Sequence, residues 1–414
     1  MTCESCLPLL KENAELRKEL EKLKDQIKEI KSYIWKPKQQ TGNPKKQGPP
    51  TNHKPHNRPI PDEIHEKKEM SLACCLDCGN ALPKKPVKTR QRFVEDILPP
   101  KPHNTEYTIP SYWCKSCKKQ VSPKPVGVIP KCRFGMRFML FVSFMRYGIH
   151  IPYNKITTLL EQCFGIAVSE GYLVDAITKF ADYIGPEFEL IKSEISKAPV
   201  VYNDTTGWRI NGNNKVLWDF ISEQHMLLLI KETKAQNIIY QTLGKDFKGI
   251  SVNDCARENQ NLGWKQQKCW AHVLRRSRKL ESEEGRQLHQ QLKALHKLGV
   301  NKMDIQVSEL LESLDSLCST AYADPKCIGL AKWLRVYRDQ WFTFVENKGI
   351  DSTNNAAERG LRPSVVMRKI TGGNRAPKGA RNHEVIMSVM GTWNKQDKDF
   401  FDEGLKALQT TYGR

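Results

Sequence analysis

Apolar positions recur along this chain with changing rhythms, and each rhythm predicts a different kind of element. Leu9, Leu16, Leu23 and Ile30 fall seven apart, and Asn13, Leu20, Ile27 and Ile34 fill the seam between them at spacings of four and three. This is a heptad pattern, so a coiled coil is expected over residues 1–36, ended by Pro37. Residues 37–66 lose the rhythm to Lys, Pro, Gln, Asn and Gly and are expected to form a flexible basic linker, because such a stretch cannot bury enough apolar surface to fold. A strand-rich module follows over 67–130, with Arg90-Gln-Arg-Phe-Val94 as one strand. Helical spacing returns over 131–197: an apolar helix through Arg146, then Asn154 to Phe164, Gly165, and a helix opening near Ser169. Helix, glycine turn, helix is the outline of a helix-turn-helix, and plain helical packing would read the same way.

From Ala198 the pattern turns to strands. Pro199, Val200, Val201 and Tyr202 read as a short buried strand delivering Asp204 to a sheet edge, with Asp204-Thr-Thr-Gly as the turn after it. Val216 to Ser222 and Met226 to Ile230 are joined by a tight Glu223-Gln-His turn, Thr233 can cap a helix through about Leu243, and Gly249 to Asp254 is a further strand ending on an aspartate. Three consecutive strands, a helix, and a strand carrying a second Asp is the order of a ribonuclease-H-like domain. Lys268 to Arg276 reads as a strand running into a helix. A helical insertion is expected at about 277–346, with Leu292, Leu295, Leu298, Leu310, Leu311, Leu314 and Leu317 in its core. Asn354 or Asn355 can then cap a helix whose first turns carry Glu358, Arg359 and Arg362. The fold class expected is multidomain α+β: coiled coil, zinc-ribbon-like module, helical domain, a ribonuclease-H-like α/β core over 198–382, and a helical tail over 383–414.

The zipper predicts a partner. With Leu9 to Ile30 at d and Asn13 to Ile34 at a, Asn13 is a buried polar residue that fixes register, and Glu12 and Glu19 at g face Arg17 and Lys24 at e across a parallel pair. A homodimer or higher oligomer is expected; the alternative is one amphipathic helix packed on its own domain.

Charge points the same chain at nucleic acid. The net charge of +20 is unevenly spread: residues 1–150 hold 29 basic against 15 acidic side chains, and residues 151–414 hold 37 against 31. A basic amino-terminal third suits phosphate contacts. The 13 cysteines, the absence of a secretory pattern at Met1 to Cys6, and an apolar maximum of only Phe138 to Met145 lead to the expectation of a cytoplasmic protein with reduced thiols and no membrane partner.

Two cysteine pairs carry metal chemistry. Cys75-x-x-Cys78, followed by Gly79, and Cys114-x-x-Cys117 each supply two thiolates on a tight turn, and together they predict one structural Zn²⁺. Cys74 competes with Cys75, but only Cys75 has the two-residue spacing. Cys3 and Cys6 have no second pair nearby and are taken as ordinary thiols.

The acids decide the reading. Asp204 in Asp-Thr-Thr-Gly-Trp, Asp254 at a strand end, Cys269-Trp-Ala-His272 followed by Arg275, and Glu358 in Asn354-Asn-Ala-Ala-Glu-Arg-Gly-Leu-Arg362 together resemble the IS66 family of bacterial insertion-sequence transposases, a branch of the DDE superfamily. The resemblance implies that Asp204, Asp254 and Glu358 are catalytic and hold two Mg²⁺ (or Mn²⁺) ions, and that Cys269, His272 and Arg275 support the active site. It also implies a zinc-finger segment ahead of the core. Glu346 is the competing candidate for the third acid. Beyond Glu358, the cations Arg359, Arg362, Arg368, Lys369, Arg375, Lys378 and Arg381 surround the loop Thr371 to Gly379, whose glycines would let amides approach DNA phosphates.

The expected function is cleavage of double-stranded DNA at terminal inverted repeats and joining to target DNA, with accessory proteins of the same element as further partners. Two alternatives remain: a ribonuclease-H-like nuclease without strand transfer, and a transposase-derived DNA-binding regulator.

Overall fold

The structure is a computed structural model that describes residues 15, 18, 19, 21, 22, 59–97, 100–123, 125, 128, 129, 132–301, 306–347 and 349–412. The zipper positions Leu9, Asn13, Leu16, Leu20, Leu23, Ile27, Ile30 and Ile34, with Cys3 and Cys6, lie outside the described residues. The chain divides into two compact units, Met1–Ile97 and Leu98–Arg414.

In the first unit the described chain is mostly irregular, with one knuckle in which Cys74 bridges Ala81 and the Leu82 amide donates to the Ala73 carbonyl at 2.8 Å. Arg90–Val94, expected as a strand, is irregular and exposed. A lone extended segment gains nothing from a strand conformation unless another strand takes up its backbone groups.

The second unit opens on a hairpin, β1 (Tyr112–Cys114) with β2 (Lys119–Val121), and continues into helices α1 (Met136–Ser143), a π-helical turn (Phe144–Gly148), α2 (Tyr153–Phe164), α3 (Glu170–Tyr183) and α4 (Gly185–Ile195). Gly165 ends α2 in the left-handed conformation, and Ser169 caps α3 by accepting from the Tyr172 amide at 3.2 Å.

A five-stranded mixed sheet lies at the centre, in the order β5-β4-β3-β6-β7. Its strands are β3 (Val200–Ile210), β4 (Asn213–Ile221), β5 (Met226–Lys231), β6 (Ile250–Asn253) and β7 (Gln266–Lys268), with α5 (Asn237–Leu243) crossing from β5 to β6. β3, β4 and β5 are antiparallel neighbours, while β6 and β7 run parallel to β3. The three consecutive strands, helix and fourth strand read from the sequence are therefore present. One element differs: Asp204-Thr-Thr-Gly is no turn. β3 continues to Ile210, and the reversal is made by Asn211 and Gly212, both at positive φ, in a two-residue turn between Ile210 and Asn213. An Asn-Gly pair is the strongest short hairpin signal, and the Thr, Trp and Ile before it favour strand.

After β7 come α6 (Trp270–Ser277) and the helices α7 (Glu283–Asn301), α8 (Val307–Ser319), α9 (Pro325–Val336) and α10 (Thr343–Glu346). Leu292, Leu295, Leu310 and Leu314 are buried as expected, Leu311 and Leu317 are half-buried, and Leu298 is exposed. Trp270, the first residue of α6, is joined to the segment between α9 and α10, donating its indole N–H to the Trp341 carbonyl at 2.6 Å.

Two long helices complete the unit. α11 (Asn355–Thr371) packs across β3 and β4, and α12 (Pro377–Lys395) lies along the edge strand β5, running unbroken past residue 382. Glu384, Ser388 and Thr392, four apart on α12, accept from the amides of Ile230, Leu228 and Met226 at 2.6, 2.8 and 3.0 Å. Side chains of a helix thus take up the outward-facing amides of an edge strand, which would otherwise invite another chain. α13 (Phe400–Tyr412) returns to the amino-terminal helices, where Phe400 meets Phe144, Phe180 and Trp393. Among the described residues no helix is long and apolar enough to cross a membrane.

Candidate active site

Sheet register brings the first two acids together. The last parallel pair between β3 and β6 is Tyr202 with Val252, so Asp204 and Asp254, each two residues on, take matching places on neighbouring strands, which lie roughly 4.8 Å apart. Asp204 sits mid-strand and Asp254 just past the end of β6. Glu358 comes from the first turn of α11, where its amide donates to the Asn354 carbonyl at 3.2 Å.

α11 approaches the sheet closely at one residue. Gly360 lies close against β4: a Cβ there would meet the end of the Ile221 side chain, at Cδ1, and approach Asp219 Oδ2, so a larger residue requires Ile221 to move. The segment before the helix is pinned at four points. The Asp351 amide donates to the Tyr202 hydroxyl at 2.9 Å, the Ser352 carbonyl accepts from the Trp270 amide at 3.0 Å, the Asn354 amide donates to Cys269 Sγ at 3.1 Å, and Asn354 Nδ2 donates to the Asn203 carbonyl at 2.9 Å. Asn354 or Asn355 is expected to cap α11; Asn354 takes the cap position but its side chain reaches across to β3, Asn355 is the first helical residue, and no side-chain cap is formed.

The supporting residues converge on the same place. Cys269 is buried and holds the Asn354 amide, and its hydrogen bond to His272 is the main reason that the His272 imidazole titrates above its usual range. Arg275 Nη2 stands 3.8 Å from Glu358 Oε1. Glu346 goes elsewhere: it pairs with Lys265 at 3.9 Å, at the beginning of β7 and so at the opposite end of the parallel strands from Asp254.

Electrostatics binds the acids into one site. The Asp204 pKa is raised to about 6, by burial first and then by the carboxylates of Asp254 and Glu358, against the opposing Thr205 amide and Lys234. Asp254 Oδ1 accepts from the Ala256 amide and from Asn259 Nδ2, both at 3.0 Å. Sequence reasoning missed Asp219, the partner of Asp204 across the β3–β4 ladder. It is fully buried, its Oδ1 accepts from the Asp204 amide at 2.8 Å, and burial, then the Asp204 charge, pushes its carboxyl far up. The signal was an acid inside the apolar run Val216-Leu-Trp-Asp-Phe-Ile221, where an unpaired charge is rarely tolerated. Lys234, which acts on Asp204 and stands 4.0 Å from Glu258, was also missed.

The cations after Glu358 separate into two groups. Arg359, Arg362, Lys369 and Arg375 are exposed. Arg368 is tied to β3 through Thr206 Oγ1 and the Gly207 carbonyl, Lys378 stands 3.9 Å from Asp175, and Arg381 stands 3.4 Å from Glu189 while lying over the Phe188 ring. The last two pairs are exposed and hold their cations only weakly. The loop Thr371 to Gly379 is not an open cradle of amides. Gly372 ends α11, and Gly373, at φ 119°, is needed because a Cβ would strike the Arg209 carbonyl. The Asn374 amide donates to Arg209 O at 2.9 Å, and its side chain accepts from the Trp208 indole at 2.8 Å. These glycines seat the loop on β3.

The family model described as Transposase IS66 family matches residues 131–382, more than half of the chain. The chain belongs to the IS66 transposase family. A comparison with curated proteins returns no match. Membership makes the chain a transposase of the DDE type, a class that works on DNA with divalent metal ions, and the mixed sheet described above is compatible with such a core. The donors here, carboxylate oxygens, are of the kind that hard cations take, and burial and like charge raise the Asp204 carboxyl to about 6. As placed, no three His, Cys, Asp or Glu side chains among the described residues form a ready-made cage.

The two cysteine pairs are separate knuckles, one in each unit. In both, the residue after the second cysteine has positive φ, Gly79 in one and Lys118 in the other. Hydrogen bonds from within each turn, chiefly from the backbone of Cys78 and of Cys117, lower the Cys75 and Cys114 thiols below the usual range. Such donors suit Zn²⁺.

Proposed function

We propose that this transposase cuts DNA strands at the ends of its element and joins them to target DNA, with Asp204, Asp254 and Glu358 as the ligands of two Mg²⁺ or Mn²⁺ ions. The observation that carries this reading is the field that meets at Asp204: an aspartate on β3, another just past the end of the neighbouring β6, a glutamate on the helix packed across β3 and β4, and an Asp204 carboxyl raised to about 6. Bound ions would supply activation of water, and later of the freed 3′ hydroxyl, and stabilisation of the leaving oxygen. The chain's own groups do the rest. Arg275 steadies Glu358, the Cys269–Asn354 contact fixes the start of α11, and Lys234, Arg359, Arg362, Lys369 and Arg375 offer cations to the DNA backbone around the acids.

The ribonuclease-H-like domain is assigned to 198–382 with its helical insertion at about 277–346, and DNA binding to the helices of 131–197, the linker 37–66 and the zinc module 67–130. Cys75, Cys78, Cys114 and Cys117 would hold one Zn²⁺, and residues 1–36 would pair two copies of the chain.

The test uses a labelled duplex carrying the element's own ends in Mg²⁺. Asp204→Asn, Asp254→Asn and Glu358→Gln should each lower cleavage and joining on the order of a thousandfold or more, the scale of losing a metal ligand, while DNA binding persists. Glu346→Ala should leave both steps intact. Cleavage without joining by the unaltered protein would favour the nuclease reading instead.

A further inference from the structure

Lys268 ends β7 and is wholly buried. Its Nζ donates to Asn253 Oδ1 at 2.6 Å, to Gln266 Oε1 at 2.8 Å and to the Asn259 carbonyl at 2.9 Å, with the Asp254 carbonyl at 3.4 Å. All four are carbonyl oxygens, which only accept. A neutral amine has two N–H groups and an ammonium has three, so this shell is built for the charged form. The Tyr337 ring stands 5.3 Å from Nζ and adds its negative face. Among the described residues Lys268 has no carboxylate within ion-pair distance, which is unusual because a buried ammonium is costly without an opposite charge.

The nearest opposite charge lies one residue away. Asn259, whose carbonyl accepts from Lys268, donates Nδ2 to Asp254 Oδ1, and its own Oδ1 accepts at 3.0 Å from Asn203 Nδ2 on β3. Cys255 is the other ionisable group at hand, and burial holds its thiol up to about 12, so it stays neutral.

We propose that Lys268 is a positioning residue of the acid site: a resident cation that orients Asn259 against Asp254 and offsets the Asp254 charge, so easing its repulsion with the other acids, when divalent ions are not bound. The inference rests on reading those three acids as the metal-binding set. It has a thermodynamic consequence that a purely structural lysine lacks. Lys268 and a bound divalent ion answer the same negative charge, so removing one should raise what the other contributes.

The experiment measures thermal unfolding of the full chain, metal-free and with Mn²⁺, for the unaltered protein, Lys268→Gln, which keeps two donors without charge, and Lys268→Met, which keeps the length. Both variants should melt below the unaltered protein when metal-free and recover part of that loss in Mn²⁺, so their metal-induced shift exceeds that of the unaltered protein by a few degrees. A shift equal to or smaller than that of the unaltered protein overturns the proposal. If Mn²⁺ does not shift the unaltered protein at all, the metal reading of the acids fails, and the metal-free arm decides alone through a cycle with Asp254→Asn. Loss from Lys268→Gln that shrinks in the Asp254→Asn background supports the charge coupling, and additive losses overturn it. If the Gln variant gives no cooperative transition, the Met variant supplies both arms, since an apolar residue of similar volume is often accepted at a buried charge.

Discussion

Asp204 holds its proton unusually late, to about pH 6 against an ordinary 3.8, with burial as the leading cause. A carboxyl whose folded value is raised stabilises the fold fully below its unfolded value, and that contribution is lost as pH rises through about 6. Metal-free protein should therefore lose stability between about pH 4 and 6 from this group. A divalent ion must displace the proton, so Mn²⁺ affinity should fall steeply below about pH 6, and calorimetry near that pH in buffers of different ionisation heat should register proton release on binding. Release should disappear in Asp204→Asn; release unchanged in that variant would remove Asp204 from the metal set. At this scale the sequence offered Asp204, Asp254 and Glu358 as candidates through motif wording, and the structure puts the charges of Asp254 and Glu358 within electrostatic reach of Asp204. It was silent on Asn203, Asn259 and Lys268, whose roles come from contacts between residues far apart in the chain. Asp219 was within reach of composition alone, as an acid inside an apolar strand.

Elements explain why the acids stay together. α12 completes the edge of the sheet through Glu384, Ser388 and Thr392, and removing one acceptor leaves a buried strand amide without a partner. Ser388→Ala should lower unfolding free energy by about 1–3 kcal/mol in urea titration, well above a surface substitution, and an unchanged midpoint would contradict the ladder's role. Strand order was legible because β-branched and aromatic runs mark strands whatever their partners. The length of β3 was not: Asp-Thr-Thr-Gly is good turn wording, and only pairing with β4 through Ile210 overrides it. The glycines of Thr371 to Gly379 misled for a related reason, since close approach to a phosphate and close approach to Arg209 demand the same residue.

At the scale of the whole molecule, the IS66 match covers residues 131–382, and the described structure around it is densely packed, whereas the zipper and the metal module stand on sequence pattern and local turns. Cys75→Ser or Cys117→Ser should release zinc from purified protein and loosen residues 70–130, read by elemental analysis and proteolysis; folded protein with no zinc would remove that assignment. A peptide of residues 1–36 should sediment as a helical pair and Leu20→Pro as a monomer, because proline breaks the helix at a seam position.

The central claim is that Asp204 binds the metal used for strand cleavage and joining. The most direct measurement is strand transfer by Asp204→Cys in Mg²⁺ and in Mn²⁺, since a thiolate is a poor ligand for the harder ion and a better one for the softer. The account predicts activity lost in Mg²⁺ and partly restored in Mn²⁺, with the unaltered protein active in both. Activity undiminished in Mg²⁺, or no difference between the two ions, would contradict it.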